Sequence, residues 1–376
     1  MSADRRLLVL WLLVAAGIAY GSLYPFDFDK PLLEGGFVAA LRESLLAFPS
    51  RGDLLSNLVL YLPFGMVGAL ALRGTGSRAQ AFALVLGAGA LLSCAVESVQ
   101  LFVVDRNTSA FDVALNLAST AVGAIFGFAL QPERFAFAAR LGVRDRMALV
   151  LAASGIAYRL APFVPTLDLQ HVKDAVKAVL AGGFSPSTFL RYTVAWLVVG
   201  IALRTGFARV RRHALPITGL AVACAPLFIT RIGIRIEEFA AVGVATAFWR
   251  FVPAGRATSG LVLALHYLVI AGAQLWPFDF AGPAHEFRWV PFAGYLHGSR
   301  ETGVFSIFEK FFLYGVAVWL PVRLGKPLWP VAFAVAGVLL VTEFLQTQMP
   351  GRSAELADPL LALIAAALCS ALRGSR

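Results

Sequence analysis

Charge is scarce in this sequence. Only 14% of the 376 residues are Asp, Glu, Lys or Arg, against 59% hydrophobic residues. A soluble domain carries about 25% charged residues, so an ordinary water-facing surface cannot be built from this chain. Cysteine is nearly absent. Cys94, Cys224 and Cys369 stand singly inside apolar runs with no paired spacing, so neither a disulfide framework nor a cysteine metal cluster is expected. Missing too are G-x4-G-K-S/T, G-x-S-x-G, H-E-x-x-H and C-x-x-C. Their absence disfavours an ATP-driven pump, a serine hydrolase of the G-x-S-x-G type and a zinc protease. His171, His285 and His297 lack metal-ligand spacing to one another and read as interfacial; no cofactor or metal is expected.

What the chain has is long apolar runs, rich in Leu, Ala, Val and Gly. Each is about 18–25 residues, the length of a membrane-crossing helix rather than of a barrel strand. In lipid every backbone polar group must be paired internally, which the helix achieves by itself. The expected spans are 7–25, 54–72, 79–104, 110–130, 146–164, 189–207, 214–231, 236–252, 258–277, 305–323, 327–348 and 355–372. The fold class is therefore an all-α polytopic membrane protein of about twelve transmembrane helices. Arg5 and Arg6 before the first run resemble a signal peptide, but no small-x-small site follows, so the run reads as a retained helix.

The net charge of +10 does not indicate nucleic acid, because the basic residues fall in short clusters between apolar runs. Counted on alternate sides of the spans, one side holds 18 of the 32 Lys and Arg but only Asp4, Glu133 and Asp145 among the acids. The rule that cytoplasmic loops carry the Lys/Arg excess puts that side, with both termini, in the cytoplasm. Trp11, Tyr24, Trp276 and Trp289 near span ends fit an aromatic belt in contact with membrane lipids.

An internal repeat organises the chain. Leu23-Tyr-Pro-Phe-Asp-Phe28 ends the first span and Leu275-Trp-Pro-Phe-Asp-Phe280 ends the ninth. Glu97, Gln100, Arg106 and Asp112 follow the spacing E-x2-Q-x5-R-x5-D, and Glu343, Gln346, Arg352 and Asp358 repeat it without a gap. A fainter middle copy keeps Ala157-Tyr158, Pro162-Phe163, Gly182-Gly-Phe184 and Arg231-x5-Glu237, with Val222 at the place of Glu97. Three four-helix units are expected, at 1–132, 133–254 and 255–376, related as parallel repeats.

The repeated polar residues are the candidate site. Glu97 and Gln100 share a helix face. In a span ending at 104, Glu97 lies about 10 Å from the outer end. A lone carboxylate at mid-membrane costs about 2.5–3.5 kcal/mol on insertion scales, so it needs a partner. Arg106 is expected to reach back to it, and Asp112 to cap the next helix, with Asn116 one turn further on the same face. Asp53 and Asn57 share a face at the outer start of the second span. Together these residues suit a polar recess in which Arg106 holds a phosphate or carboxylate. Glu343, Gln346, Arg352 and Asp358 would line a second such recess. The alternative is a structural clasp locking two helices at a tight turn, and duplication does not separate the two. Lesser features are Asp27-Phe-Asp29, a D-x-D spacing that some sugar transferases use for a metal; Lys310 beside Glu309, read as a rim ion pair; and the segment 31–50, read as an amphipathic interfacial helix.

The pattern Asp53-x3-Asn57-x5-Pro63-Phe64-Gly65, then Glu97-x2-Gln100, Arg106, Asp112-x3-Asn116 and Gly123, resembles the signature of the VanZ-like membrane family. The first unit matches over 7–130. The third matches at LWPFDF, Leu313-Tyr314 and its polar set, and departs at Asn57, Asn116 and the Pro-Phe-Gly. The resemblance implies a bacterial inner-membrane protein of the cell envelope, linked to teicoplanin and antibiotic resistance, with no defined reaction. A lipid-linked glycan, peptidoglycan or glycopeptide ligand is the expected partner. The rivals are a polyprenyl-phosphate-dependent glycosyltransferase, in which Asp27 and Asp29 would matter most; a transporter; and a non-catalytic scaffold.

Overall fold

The structure, a computed structural model, describes residues 3–24, 26–29, 36, 38–39, 42, 51–104, 109–129, 144–161, 166, 168–208, 213–229, 233–297 and 300–372. Among the described residues it is helical, with isolated bridge residues such as the parallel pair Arg288 and Glu355, and no strand. The chain forms two compact units, Met1–Ala136 and Phe137–Arg376.

Unit 1 holds α1 (Ala3–Leu23), α2 (Arg51–Ala71), α3 (Arg78–Gln100) and α4 (Ala110–Ala129). Ser77 starts α3 with a reciprocal cap: Gln80 N–H donates to Ser77 Oγ (3.2 Å) and Ser77 N–H to Gln80 Oε1 (2.9 Å). The closest packing is between α2 and α4, and glycine makes it possible. A Cβ on Gly65 would run into the Thr120 carbonyl, one on Gly123 into the Leu62 carbonyl, and one on Gly127 would lie 2.6 Å from the Met66 carbonyl oxygen. Small residues let backbones approach where lipid supplies no hydrophobic drive between helices. Arg73 closes the end of α4 by donating to the Gly127 carbonyl at 2.6 Å.

Unit 2 holds α5 (Arg146–Leu160), α6 (Leu169–Ala181), α7 (Pro186–Gly206), α8 (Ala214–Cys224), α9 (Ile236–Phe251), α10 (Arg256–Leu275), α11 (Ala293–His297), α12 (Arg300–Arg323), α13 (Leu328–Gln346) and α14 (Ala357–Leu372). Its core runs through Leu151, Val198, Ala245, Val262, Trp319 and Ala365. Asp145 ties one end together. It accepts from Ala148 N–H at the start of α5 (3.1 Å), from Trp319 Nε1 (3.0 Å) and from Arg323 Nη1 (3.0 Å).

Each of the twelve expected apolar segments coincides with a helix, and α3, α4, α7, α10 and α13 are long and apolar enough to cross a membrane. Leu7–Leu23, Leu60–Ala71, Ala214–Leu227 and Ala357–Leu372 are shorter apolar helical stretches. α6 has no counterpart among the expected spans. Leu169, Val172, Val176 and Leu180 recur in it at helical spacing between Lys173, Asp174 and Lys177, which is an amphipathic rather than a spanning pattern. The expected interfacial helix at 31–50 falls almost wholly outside the described residues.

Candidate functional site

α3 of unit 1 ends three residues after Glu97, not seven, so its carboxylate sits about 5 Å inside the helix end. The helix stops there because the chain turns at once: Phe102 N–H donates to the Val99 carbonyl and Val103 N–H to that of Gln100. Glu97, 3% exposed, accepts the Ser109 N–H at 2.9 Å. The Ser109 hydroxyl in turn accepts the Asp112 N–H at 3.3 Å. Ser109 therefore caps the start of α4, and Glu97 is bound to that cap. Gln100 Nε2 donates to the Ser22 carbonyl at 2.8 Å, which joins α3 to the end of α1.

Unit 2 builds the same arrangement at the same spacings. Glu355 N–H donates to Glu343 Oε2 at 2.8 Å, twelve residues on, as Ser109 does to Glu97. Gln346 Nε2 donates to the Gln274 carbonyl at 3.1 Å, and Gln274 precedes LWPFDF as Ser22 precedes LYPFDF. Phe26 and Phe278 both take left-handed backbone, φ 65° and 63°, and donate their N–H to the carbonyls of Leu23 and Leu275.

The two sets differ in what surrounds these bonds. In unit 2 Asp358 is 0% exposed and saturated with donors. Lys310 Nζ (2.6 Å) and the Tyr295 hydroxyl (3.4 Å) reach Oδ1, while Gln274 Nε2 (2.8 Å) and the Tyr314 hydroxyl reach Oδ2. Gln274 Nε2 also donates to the Tyr314 hydroxyl (2.8 Å), and its Oε1 accepts from Gln346 (2.6 Å). In unit 1 the buried residues around Tyr61, the counterpart of Tyr314, are Ser93, Glu97 and Asn116. Asn116 Nδ2 donates to Ser93 Oγ at 3.0 Å. Asn116 Oδ1, on a residue 5% exposed, has no hydrogen-bond partner among the described residues, and the Tyr61 hydroxyl, on a residue 1% exposed, lies beside Ser93 and Glu97 but makes no hydrogen bond of good geometry among them. Turning the Asn116 amide over would exchange its two atoms and still leave one open. An unmet buried polar atom costs about 1–3 kcal/mol.

Three expectations change. Lys310 does not pair with Glu309. Consecutive helical residues point about 100° apart, so Lys310 turns to Asp358 while Glu309 takes Arg191 Nη2 at 2.6 Å. Arg352 is not held by Glu343 or Asp358. Lys310 already fills the place beside Asp358, and Arg352 Nη2 donates to the Trp276 carbonyl at 2.5 Å. The segment 133–254, expected as a third repeat, holds a buried pair, Arg159 to Glu238 at 2.6 Å, while Glu237 accepts the Ser185 N–H at 2.8 Å. Arg106 and Arg231 lie outside the described residues, as do the side chains of Asp53, Asn57 and His297. Asp27 and Asp29 are exposed, and the Asp27 carbonyl accepts the Val104 N–H at 2.8 Å. Glu355, in the turn between α13 and α14, has its carboxyl pushed up by burial, offset in part by the Gly294 N–H bond at 2.9 Å.

Sequence reasoning missed Tyr61, Ser93, Ser109, Gln274, Tyr295 and Tyr314. Tyr61 and Tyr314 were within reach, because Leu60-Tyr61 and Leu313-Tyr314 repeat at matching places; the rest carry no spacing signal.

Residues 10–131 match the model of the VanZ/LLP1 family. This region is a VanZ-like domain. The match begins inside α1 and ends shortly after α4, so it covers most of unit 1 and reaches all four of its helices. Tyr61 and Asn116 lie within the matched region, as do Trp11 and Ser119, whose buried polar atoms are also unpartnered among the described residues. No curated protein and no solved structure matches the chain. Together, the VanZ-like domain and the long apolar helices make this a membrane protein.

Proposed function

We propose that the chain is a polytopic inner-membrane protein of the bacterial cell envelope whose VanZ-like unit binds a lipid-linked or cell-wall-related ligand from the outer face. All twelve apolar helices cross the membrane in this reading, the termini are cytoplasmic, and the ends of α1 and α3 and the start of α4 face outward. The ligand-binding residues in this reading are Glu97, Gln100, Asn116 and Tyr61, with Arg106, Asp112, Asp53 and Asn57 assigned to the same site by their sequence pattern. The reading is supported by one contrast. Unit 1 leaves the Tyr61 hydroxyl and one Asn116 amide atom without a hydrogen bond of good geometry among the described residues, whereas the Asp358 cluster is filled by its own side chains. Folding does not require unmet buried groups; a ligand's polar atoms make use of them. The Glu343/Gln346/Asp358 set is then a clasp, and Arg352 stands outside it.

The test is Glu97→Gln and Arg106→Ala in an envelope-stress or glycopeptide-sensitivity assay, with membrane protein level measured in parallel. The reading expects loss of function at normal level for both, and normal function for Arg352→Ala. Normal function for Glu97→Gln and Arg106→Ala at normal level would leave a clasp in unit 1 as well.

A further inference from the structure

The two polar sets share their backbone-directed bonds and differ in several side chains, of which Gln274 is the one that joins the others. In unit 2 the Gln274 carboxamide lies at the centre. Its N–H groups donate to the Tyr314 hydroxyl and to Asp358, and its carbonyl accepts from Gln346. At the same place before the repeated motif, unit 1 has Ser22, whose side chain is too short to present a carboxamide. Several residues around that place are kept, while Asn57 stands where unit 2 has Lys310 and Asn116 where it has Ala362. Tyr61 corresponds to Tyr314, Gln100 to Gln346 and Asp112 to Asp358, by the same spacings. Gln346 donates both to the Gln274 backbone carbonyl and to its side-chain carbonyl, at 3.1 and 2.6 Å. Gln100 makes the first bond, to Ser22, and has no glutamine there for the second. The Tyr61 hydroxyl, whose counterpart in unit 2 meets the carboxamide, is buried and has only Ser93 beside it, with no hydrogen bond of good geometry among the described residues.

We propose that the ligand of the unit 1 site is held through a carboxamide, seated against Tyr61, Gln100 and Asn116 where Gln274 sits in the other unit. This rests on the binding reading above and names its chemistry. The ligand's N–H donates to Tyr61 Oη and Asn116 Oδ1, and its carbonyl accepts the remaining N–H of Gln100. A neutral amide suits this set, whose groups are a phenol and two carboxamides beside a carboxylate; a phosphate here would face Glu97. Such an amide is found in an N-acetylated sugar and in a peptide, and the experiment separates them.

The experiment is saturation-transfer NMR on the full-length protein in detergent, with millimolar N-acetylglucosamine, glucosamine and N-acetylalaninamide. The expected result is transfer to the N-acetyl methyl of at least one amide probe and none to glucosamine. Transfer to the sugar alone marks a glycan source, and transfer to N-acetylalaninamide alone marks a peptide source. Ser22→Gln supplies the missing carboxamide from within and is expected to abolish the transfer. Should that variant not fold, Tyr61→Phe carries the test, with binding about tenfold weaker through one lost hydrogen bond. No transfer to either amide, equal transfer to glucosamine, or full binding by Ser22→Gln overturns the proposal. If amide probes fail while Glu97→Gln still abolishes envelope function, the carboxamide is wrong and the binding site stands.

Discussion

Lys310 and Glu309 are neighbours in sequence, carry opposite charges and are expected to behave very differently on neutralisation. Lys310→Met keeps the aliphatic stem and removes the charge. It leaves Asp358, 0% exposed, with only neutral donors from Tyr314, Gln274 and Tyr295. Breaking a buried ion pair from one side costs about 3–5 kcal/mol, because the surviving charge stays buried without a counter-charge. The Arg191–Glu309 pair is open, with side chains 50% and 21% exposed. Pairs of that kind contribute about 0–1 kcal/mol, so Glu309→Gln is expected to be nearly silent. The assay is denaturant unfolding of the full-length protein in detergent micelles, followed by near-UV circular dichroism. Pairing Lys310→Met with Asp358→Asn completes a double-mutant cycle, and the double variant is expected to recover much of the loss. Equal unfolding midpoints for Lys310→Met and Glu309→Gln, or no recovery in the double variant, would refute the assignment of Lys310 to the buried cluster.

Three further outcomes are expected. Gly123→Leu drives a side chain into the Leu62 carbonyl, so α2 and α4 must part; loss of folded unit 1, seen as protease sensitivity of its loops in membranes, is expected, while Gly87→Leu on the open side of α3 is tolerated. Asp145→Ala removes the cap of α5 and the acceptor of Trp319 and Arg323 together, and a loss of about 2–3 kcal/mol in the same unfolding assay is expected. Gln346→Ala breaks two buried bonds to Gln274 and is expected to destabilise by about 2–4 kcal/mol, whereas Arg352→Ala, whose guanidinium is partly exposed, changes stability by less than about 1 kcal/mol.

The helices were legible because apolar length is written directly into a chain whose solvent is lipid. Their ends were less so. Residues 101–104 are as apolar as the helix before them, yet the chain turns at Gln100, where the buried carboxylate of Glu97 binds Ser109 across the turn. The polar set was legible through its repeated spacing, which marks Glu97, Gln100, Glu343, Gln346 and Asp358 as buried residues. The partners were not. Spacing along one helix says nothing about which group arrives from another, so Lys310 was assigned to its neighbour Glu309 when α12 carries it to Asp358 on α14. Ser109 acts through its backbone N–H, and a backbone donor leaves no mark in composition. Gln274 lay one residue outside the repeated motif, and its meaning emerges only when its side chain is seen among Tyr314, Asp358 and Gln346. The same limit holds for Arg159 and Glu238, which form a buried pair across 79 residues with no local signal between them.

The most direct measurement is the unfolding free energy of two matched variants, Tyr61→Phe and Tyr314→Phe. If the unit 1 hydroxyl awaits a ligand, its removal leaves stability unchanged or slightly raised, while removing the Tyr314 hydroxyl from Asp358 costs about 1–3 kcal/mol. An equal loss for both would mean that the Tyr61 hydroxyl is as fully used within the protein as its counterpart, and that unit 1 holds no open site.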